Sequence, residues 1–147
     1  MTKQSAKVAQ TLHQVLQPDG WAKPKGYANG ISASGRTIYV AGQVGWNAQG
    51  QFESDDLVAQ TGQTLRNVVA VLAVGGASPE HLTSMTWYFT DKAEYLARLP
   101  EIGTVYRHTI GRHYPTMAAI EVSALMEDRA KIEIQAIAVL PAQLEAT

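Results

Sequence analysis

The chain has 147 residues, a length that fits one domain able to bury its own core. We expect that domain to cover residues 1–147, with an N-terminal extension over residues 1–20. A net charge of −1 argues against nucleic-acid binding, and the absence of cysteine excludes disulfides, thiol nucleophiles and zinc–thiolate sites. No apolar run has the form of a signal peptide or a membrane span, so we expect a cytoplasmic protein without membrane contact.

The first 42 residues predict a short helix followed by extended segments. Residues 1–17 carry apolar side chains near helical spacing, which predicts a short amphipathic helix that ends at Pro18. A loop then leads into a short extended segment over residues 27–32. Residues 37–42 are β-branched, aromatic and apolar on both faces, which is typical of a buried strand.

The clearest helical pattern follows Ser54, which we predict as the N-cap. From Leu57 to Leu72, apolar side chains recur at spacings of one, three and four, and this predicts an amphipathic helix of about five turns. Gly75 and Gly76 are expected to end it.

The second half of the chain predicts a strand over residues 82–90, a helix over 93–110, and strands over 116–122 and 131–140. Pro100 requires a kink or a restart within the helix, because proline removes a backbone donor. The order of elements predicts an α+β fold in which two helices pack on one face of a mixed sheet. The other face then needs cover, which oligomerisation usually supplies.

The sequence lacks phosphate-binding, zinc-binding and dinucleotide-binding motifs, so we expect neither a cofactor nor a metal. Glu133 is the strongest chemical candidate. It lies on an alternating strand, where it is either a solvent-facing residue or a carboxylate in a subunit cleft with acid–base capacity. Tyr27 and Trp46 lie in glycine-flanked loops, where an aromatic side chain either lines a pocket or covers the core.

Five blocks of the sequence span residues 26–30, 40–44, 63–68, 114–122 and 131–138. In this order they resemble segments of the RidA (YjgF) family. The resemblance implies a chorismate-mutase-like α+β fold, a homotrimer with ligand clefts between subunits, a small-molecule ligand and no cofactor.

The resemblance also shows where this chain departs from the family's imine deaminases. In those proteins an arginine on the penultimate strand binds the substrate carboxylate, and the matching residue here is Met117. The family's cysteine two residues later is replaced by Ala119, and the serine before Gly-Gln by Ala41. Four other positions keep the family residue, namely Tyr27, Gly42, Gln43 and Glu133.

The resemblance therefore implies a hydrolase or deaminase acting on an imine, an enamine or a related metabolite. Glu133 would position or deprotonate a water molecule, and the backbone amide near Gly42 would hold a polar substrate atom. Gln43 would contact the substrate beside them, and Tyr27 and Trp46 would form walls of the pocket.

The apolar replacements modify this expectation. Met117 and Ala119 are two residues apart on a strand, so they should face the same cleft and favour a less anionic, more hydrophobic ligand. Arg112 is a candidate for a substitute cation. The alternative function is a binding or sensing trimer without turnover, and the net charge disfavours a third function, RNA cleavage.

Overall fold

The computed structural model describes residues 12–142, and none of the helices within them is long and apolar enough to cross a membrane. The strands are β1 (Gln14–Leu16), β2 (Gly30–Ser32), β3 (Arg36–Val44), β4 (Leu82–Phe89), β5 (Thr116–Glu121) and β6 (Ile132–Leu140). The helices are α1 (Leu57–Val74), α2 (Lys92–Ala97) and α3 (Leu99–Thr109), and a 3₁₀ turn covers Pro79–His81.

The main sheet has the strand order β3-β6-β4-β5. Strands β4 and β5 are parallel, and the other two pairs are antiparallel. Side chains from one face of this sheet pack with those of α1 and α3 in a single core, which includes Leu65, Leu72, Trp87, Ile102 and Ile134. The predicted α+β architecture, with a mixed sheet and helices on one face, is thus confirmed.

The N-cap of helix α1 lies two residues later than predicted. The N-cap is Asp56, whose side chain accepts a hydrogen bond from the Ala59 backbone amide at 3.0 Å. The prediction of Ser54 as N-cap is wrong, because its hydroxyl accepts from the Asp56 backbone amide instead. The other end is as predicted, since the helix ends at Val74 and Gly75 is the C-cap.

The second helical region is divided in two, as Pro100 requires. Helix α2 ends before Arg98, and α3 starts again with Pro100 in its first turn, where a missing amide costs nothing. Arg98, at the break, forms salt bridges to Asp56, the N-cap of α1, at 2.9 Å and to Glu101 of α3 at 2.7 Å.

The predicted N-terminal helix is wrong where it can be compared. Gln14–Leu16 form strand β1, which pairs antiparallel with β2, while residues 1–11 lie outside the described part of the chain. A short stretch of helical spacing carries little information, and pairing with a second extended segment satisfies the backbone groups instead. The extended segment predicted over residues 27–32 is confirmed by β2 at its end.

Strand β3 was predicted to be buried on both faces, and this is also wrong. Val40 is buried against the helices, but Tyr39 on the other side is 76% exposed. We call the sheet face opposite the helices the open face; it includes Tyr39, Ser84, Thr86, Gln135 and Ile137. The open face thus carries apolar as well as polar side chains.

Candidate functional site

A cavity of about 500 Å³ lies between helix α3, strand β5 and the segment around residue 26. Most of its wall is aromatic or aliphatic, and its charged members are one lysine and one arginine. The lining residues are Lys25, Gly26, Tyr27, Trp87, Tyr95, Leu99, Ile102, Gly103, Tyr106, Arg107, Tyr114, Met117 and Ala119.

Strand pairing explains why Met117 and Ala119 both reach this cavity. In the parallel β4–β5 pair, Met117 lies opposite Met85 and Ala119 opposite Trp87, and directly paired residues point to the same face of a sheet. Met85 and Trp87 belong to the core under the helices. Met117 and Ala119 therefore point toward α3, into one cavity.

The aromatic wall is held by stacking and by a buried hydrogen bond. The rings of Tyr106 and Tyr114 are stacked with centroids 5.5 Å apart, and the Tyr106 hydroxyl donates to the His113 carbonyl at 2.6 Å. Burial is the main cause that raises the pKa of Tyr106, so this hydroxyl stays protonated. Tyr106 thus contributes an uncharged, hydrogen-bonded side chain to this wall.

Glu133 lies on the open face of the sheet. It pairs with Tyr88 of β4, and its carboxylate occupies the space beside Gly42 that a side chain there would need. Gly42 belongs to a β-bulge, where the register between β3 and β6 shifts by one residue. Glu133 is half-buried, and within residues 12–142 its carboxylate has no hydrogen-bond or ion-pair partner.

Glu133 and Met117 are therefore on opposite faces of the same sheet. On β4, Trp87 pairs with Ile134 and Ala119, whereas its neighbour Tyr88 pairs with Glu133. Successive residues of a strand point to opposite faces, so the carboxylate and the cavity point away from each other. Within one chain the two groups therefore do not form a single site.

The remaining predicted site residues lie in different places. Gln43 donates from its side chain to the Ala41 carbonyl at 3.1 Å. Trp46 is tilted against the Phe52 ring with centroids 5.9 Å apart, and it is not among the residues that line the cavity. Arg112 is exposed and is not a lining residue either, whereas Tyr27 is.

Sequence reasoning missed Arg107, Lys25, Tyr95 and Tyr106 as cavity residues. Arg107 could have been found, because it lies four residues after Gly103, so that both lie on one helix face. The missed cations change the character of the site, since they stand beside an otherwise neutral wall.

His113 is buried with only 6% exposure, and its Nε2 donates to the Leu82 carbonyl at 2.8 Å. Burial lowers its pKa, so the ring is neutral near pH 7 and serves the fold. Within residues 12–142 no three histidine, aspartate or glutamate side chains are placed to hold a metal ion.

The same architecture occurs in solved structures. YyfB of Yersinia pestis, a Rid family protein of unknown function, is 33% identical with a TM-score of 0.78, covering 87% of this chain and 98% of that one. Escherichia coli TdcF, solved with bound serine, is 30% identical with a TM-score of 0.62, covering 82% of this chain and 91% of that one. The fold is thus that of a Rid-type domain.

Sequence comparison agrees. The profile of the family described as Endoribonuclease L-PSP matches residues 21–140. A RutC family protein of Pyrococcus horikoshii is 33% identical over 129 residues, which are 86% of this chain and 98% of the relative. The chain belongs to the endoribonuclease L-PSP family, the group of RidA (YjgF) proteins that its sequence blocks resemble. The family includes TdcF of Escherichia coli K12, provisionally named a reactive intermediate deaminase, which is 30% identical over 77% of this chain and 85% of its own length.

Proposed function

We propose that this protein hydrolyses an imine, an enamine or a related small metabolite in a cleft between two subunits of a homotrimer. The observation that carries the proposal is the position of Glu133, a half-buried carboxylate without a partner in residues 12–142, beside the bulge at Gly42. A carboxylate in that state is suited to take a proton from water. Met117 and Ala119 of a neighbouring subunit would complete the cleft.

The chemistry needs no cofactor. A water molecule adds to the carbon of the C=N bond while Glu133 takes its proton, and the proton passes to the nitrogen. The resulting carbinolamine collapses to a carbonyl compound and ammonia, and an enamine would first tautomerise to the imine. Backbone amides at the bulge near Gly42 would hold a polar substrate atom.

Assembly is supported by the open face. Tyr39 is 76% exposed there, and Ile120 is 43% exposed on the neighbouring part of the same face. Large apolar side chains on a sheet face are commonly covered by another subunit. A copy placed on this face would bring its own residues to the Glu133 side of the sheet.

Met117 also favours a second candidate, a binding or sensing trimer without turnover. The side chain that replaces the family's arginine cannot form charge-assisted hydrogen bonds to a carboxylate. TdcF has been solved with bound serine, so a relative of this chain holds a small amino acid. That observation is compatible with either function.

Hydrolysis of freshly generated amino-acid-derived imines, carboxylate-bearing and neutral, separates the two candidates. We expect turnover by the unmodified chain, and Glu133→Gln should lower it by about 10²- to 10⁴-fold. Glu127→Gln makes the same change of charge on an exposed loop and should leave the rate unchanged. Turnover that survives Glu133→Gln would remove the role proposed for that residue, and no turnover by either protein would favour the binding function.

A further inference from the structure

We propose that Arg107 binds the carboxylate of a substrate whose aromatic side chain fills the cavity, so that the substrate class is a 2-imino acid with an aromatic side chain. This inference rests on the proposed function and adds the identity of the anion-binding residue. It also places the anchor on helix α3, on the other side of the cavity from Met117 of strand β5.

The position of the Arg107 guanidinium supports this role. Arg107 and Gly103 both line the cavity, and a Cβ atom on Gly103 would lie 3.1 Å from Nη1 of Arg107. The guanidinium therefore lies over the bare backbone of the glycine, one turn earlier on the same helix. Glycine at 103 leaves the room in which the charged group sits at the cavity wall.

Most hydrogen-bond donors of the Arg107 guanidinium have no protein partner within residues 12–142. Its side chain makes one hydrogen bond, 3.4 Å long, to the Thr104 hydroxyl, and it forms no salt bridge within residues 12–142. By contrast, Arg98 and Arg129 are both engaged in salt bridges to carboxylates. The planar fork of an unpaired arginine matches a ligand carboxylate in a bidentate geometry.

The charge of the wall points to an anion. Lys25 is the second charged residue that lines the cavity, and none of the lining residues is acidic. Two positive charges on a wall of low polarity attract a negative group, and no protein carboxylate in that wall competes for them.

The size and the surface of the cavity indicate what the rest of the ligand is. A volume of about 500 Å³ is more than a two- or three-carbon metabolite fills. The rings of Trp87 and Tyr106 are tilted with centroids 6.1 Å apart, and Tyr114 stacks on Tyr106. Such a surface favours an aromatic ring, which packs against it by offset or edge contacts.

Binding of stable 2-oxo acids tests the inference without requiring turnover. By titration calorimetry, the unmodified protein should bind phenylpyruvate at least about ten times more tightly than pyruvate. Arg107→Gln should weaken phenylpyruvate binding by about tenfold or more. Arg66→Gln, on the exposed surface of α1, is the matched control and should bind as the unmodified protein does.

A second variant keeps the test decisive if Arg107→Gln affects folding. Gly103→Ala adds a methyl group 3.1 Å from Nη1 of Arg107, a tight contact that displaces the guanidinium, while alanine is the better helix former. We expect a higher melting temperature together with weaker phenylpyruvate binding. A gain in melting temperature without any loss of binding would overturn the inference.

Three further outcomes test this inference, and the third separates it from the proposed function. If Arg112→Gln weakens binding and Arg107→Gln does not, the anchor is Arg112 and the inference is wrong. If both oxo acids bind equally well, the aromatic substrate class is wrong. If phenylpyruvate binding depends on Arg107 but the protein hydrolyses no imine, the ligand class stands and the hydrolase function fails.

Discussion

The carboxylate of Glu133 occupies the space that a side chain at residue 42 would need, so Gly42 and Glu133 form one unit across the β3–β6 pair. Gly42 is not among the glycines with a left-handed φ, so backbone conformation does not require a glycine at this position. The requirement comes from Glu133, because the absence of a Cβ atom at residue 42 lets the carboxylate lie directly against the bulge in β3.

Gly42→Ala should therefore reduce hydrolysis while the protein stays folded. The new methyl group overlaps the flexible end of Glu133, which can rotate away, so the free energy of unfolding should change by no more than about 1 kcal/mol. We expect the loss of kcat/KM to approach that of Glu133→Gln, at about 10²-fold. Steady-state kinetics and thermal unfolding measure the two effects.

The double variant Gly42→Ala, Glu133→Gln is the control. Because both changes act on one carboxylate, their effects on kcat/KM should not add. Additive losses would mean that Gly42 contributes something other than room for Glu133, such as its backbone amide.

Tyr39→Glu should disrupt assembly. Tyr39 is 76% exposed on the open face, where we propose that another subunit covers it, and a buried carboxylate without a partner is costly. Sedimentation velocity should show a species near the 15.9 kDa mass of one chain. Val74→Glu is the matched control, since Val74 is 92% exposed at the end of α1 and should leave the assembly unchanged. If Tyr39→Glu also leaves it unchanged, the open face is not the interface.

Long regular patterns made much of the fold predictable. Helix α1 repeats its apolar spacing over 18 residues, and its members Leu65, Val68 and Leu72 are fully buried. The restart before Pro100 was predictable as well, since proline excludes an unbroken helix whatever surrounds it. In both cases the deciding interactions are local in the chain.

The site was less predictable because its geometry depends on strand order. The alternation of β6 placed Glu133 on a different face from Ile134, but only the β6-β4-β5 order puts Met117 on the opposite face from Glu133. The prediction for the residues of strand β1 failed for a related reason, since their pairing partners lie 14 or more residues away along the chain. Tertiary contacts determine these features, and such contacts cannot be inferred from the spacing of residues along the chain.

Met117→Arg should change substrate preference. An arginine at this position would point into the cavity and bind a carboxylate there by charge-assisted hydrogen bonds, worth about tenfold in kcat/KM for small carboxylate-bearing imines. Its bulk should at the same time disfavour large aromatic substrates. Met126→Arg adds the same charge at a residue 91% exposed and should do neither. No gain in a folded variant would show that the cavity is not where the substrate carboxylate binds.

Buried His113 should make stability depend on pH in the acidic range. Burial lowers its pKa in the folded protein, so below the unfolded value near 6.5 the unfolded chain binds a proton that the folded chain does not. The contribution of His113 to the free energy of unfolding should thus be complete above that pH. It should be lost as the pH drops toward the folded pKa, with a slope of up to about 1.4 kcal/mol per pH unit.

Denaturant unfolding of the unmodified protein and of His113→Gln between pH 7 and pH 5 measures this contribution. Glutamine can keep a donor toward the Leu82 carbonyl but does not titrate, so the variant should lose part of the slope. The lowered pKa values of Asp56 and Glu80 place their titration below this range, so they add little to it. Equal slopes for the two proteins would show that His113 takes up its proton as readily folded as unfolded, and that the interior around it is better hydrated than its 6% exposure implies.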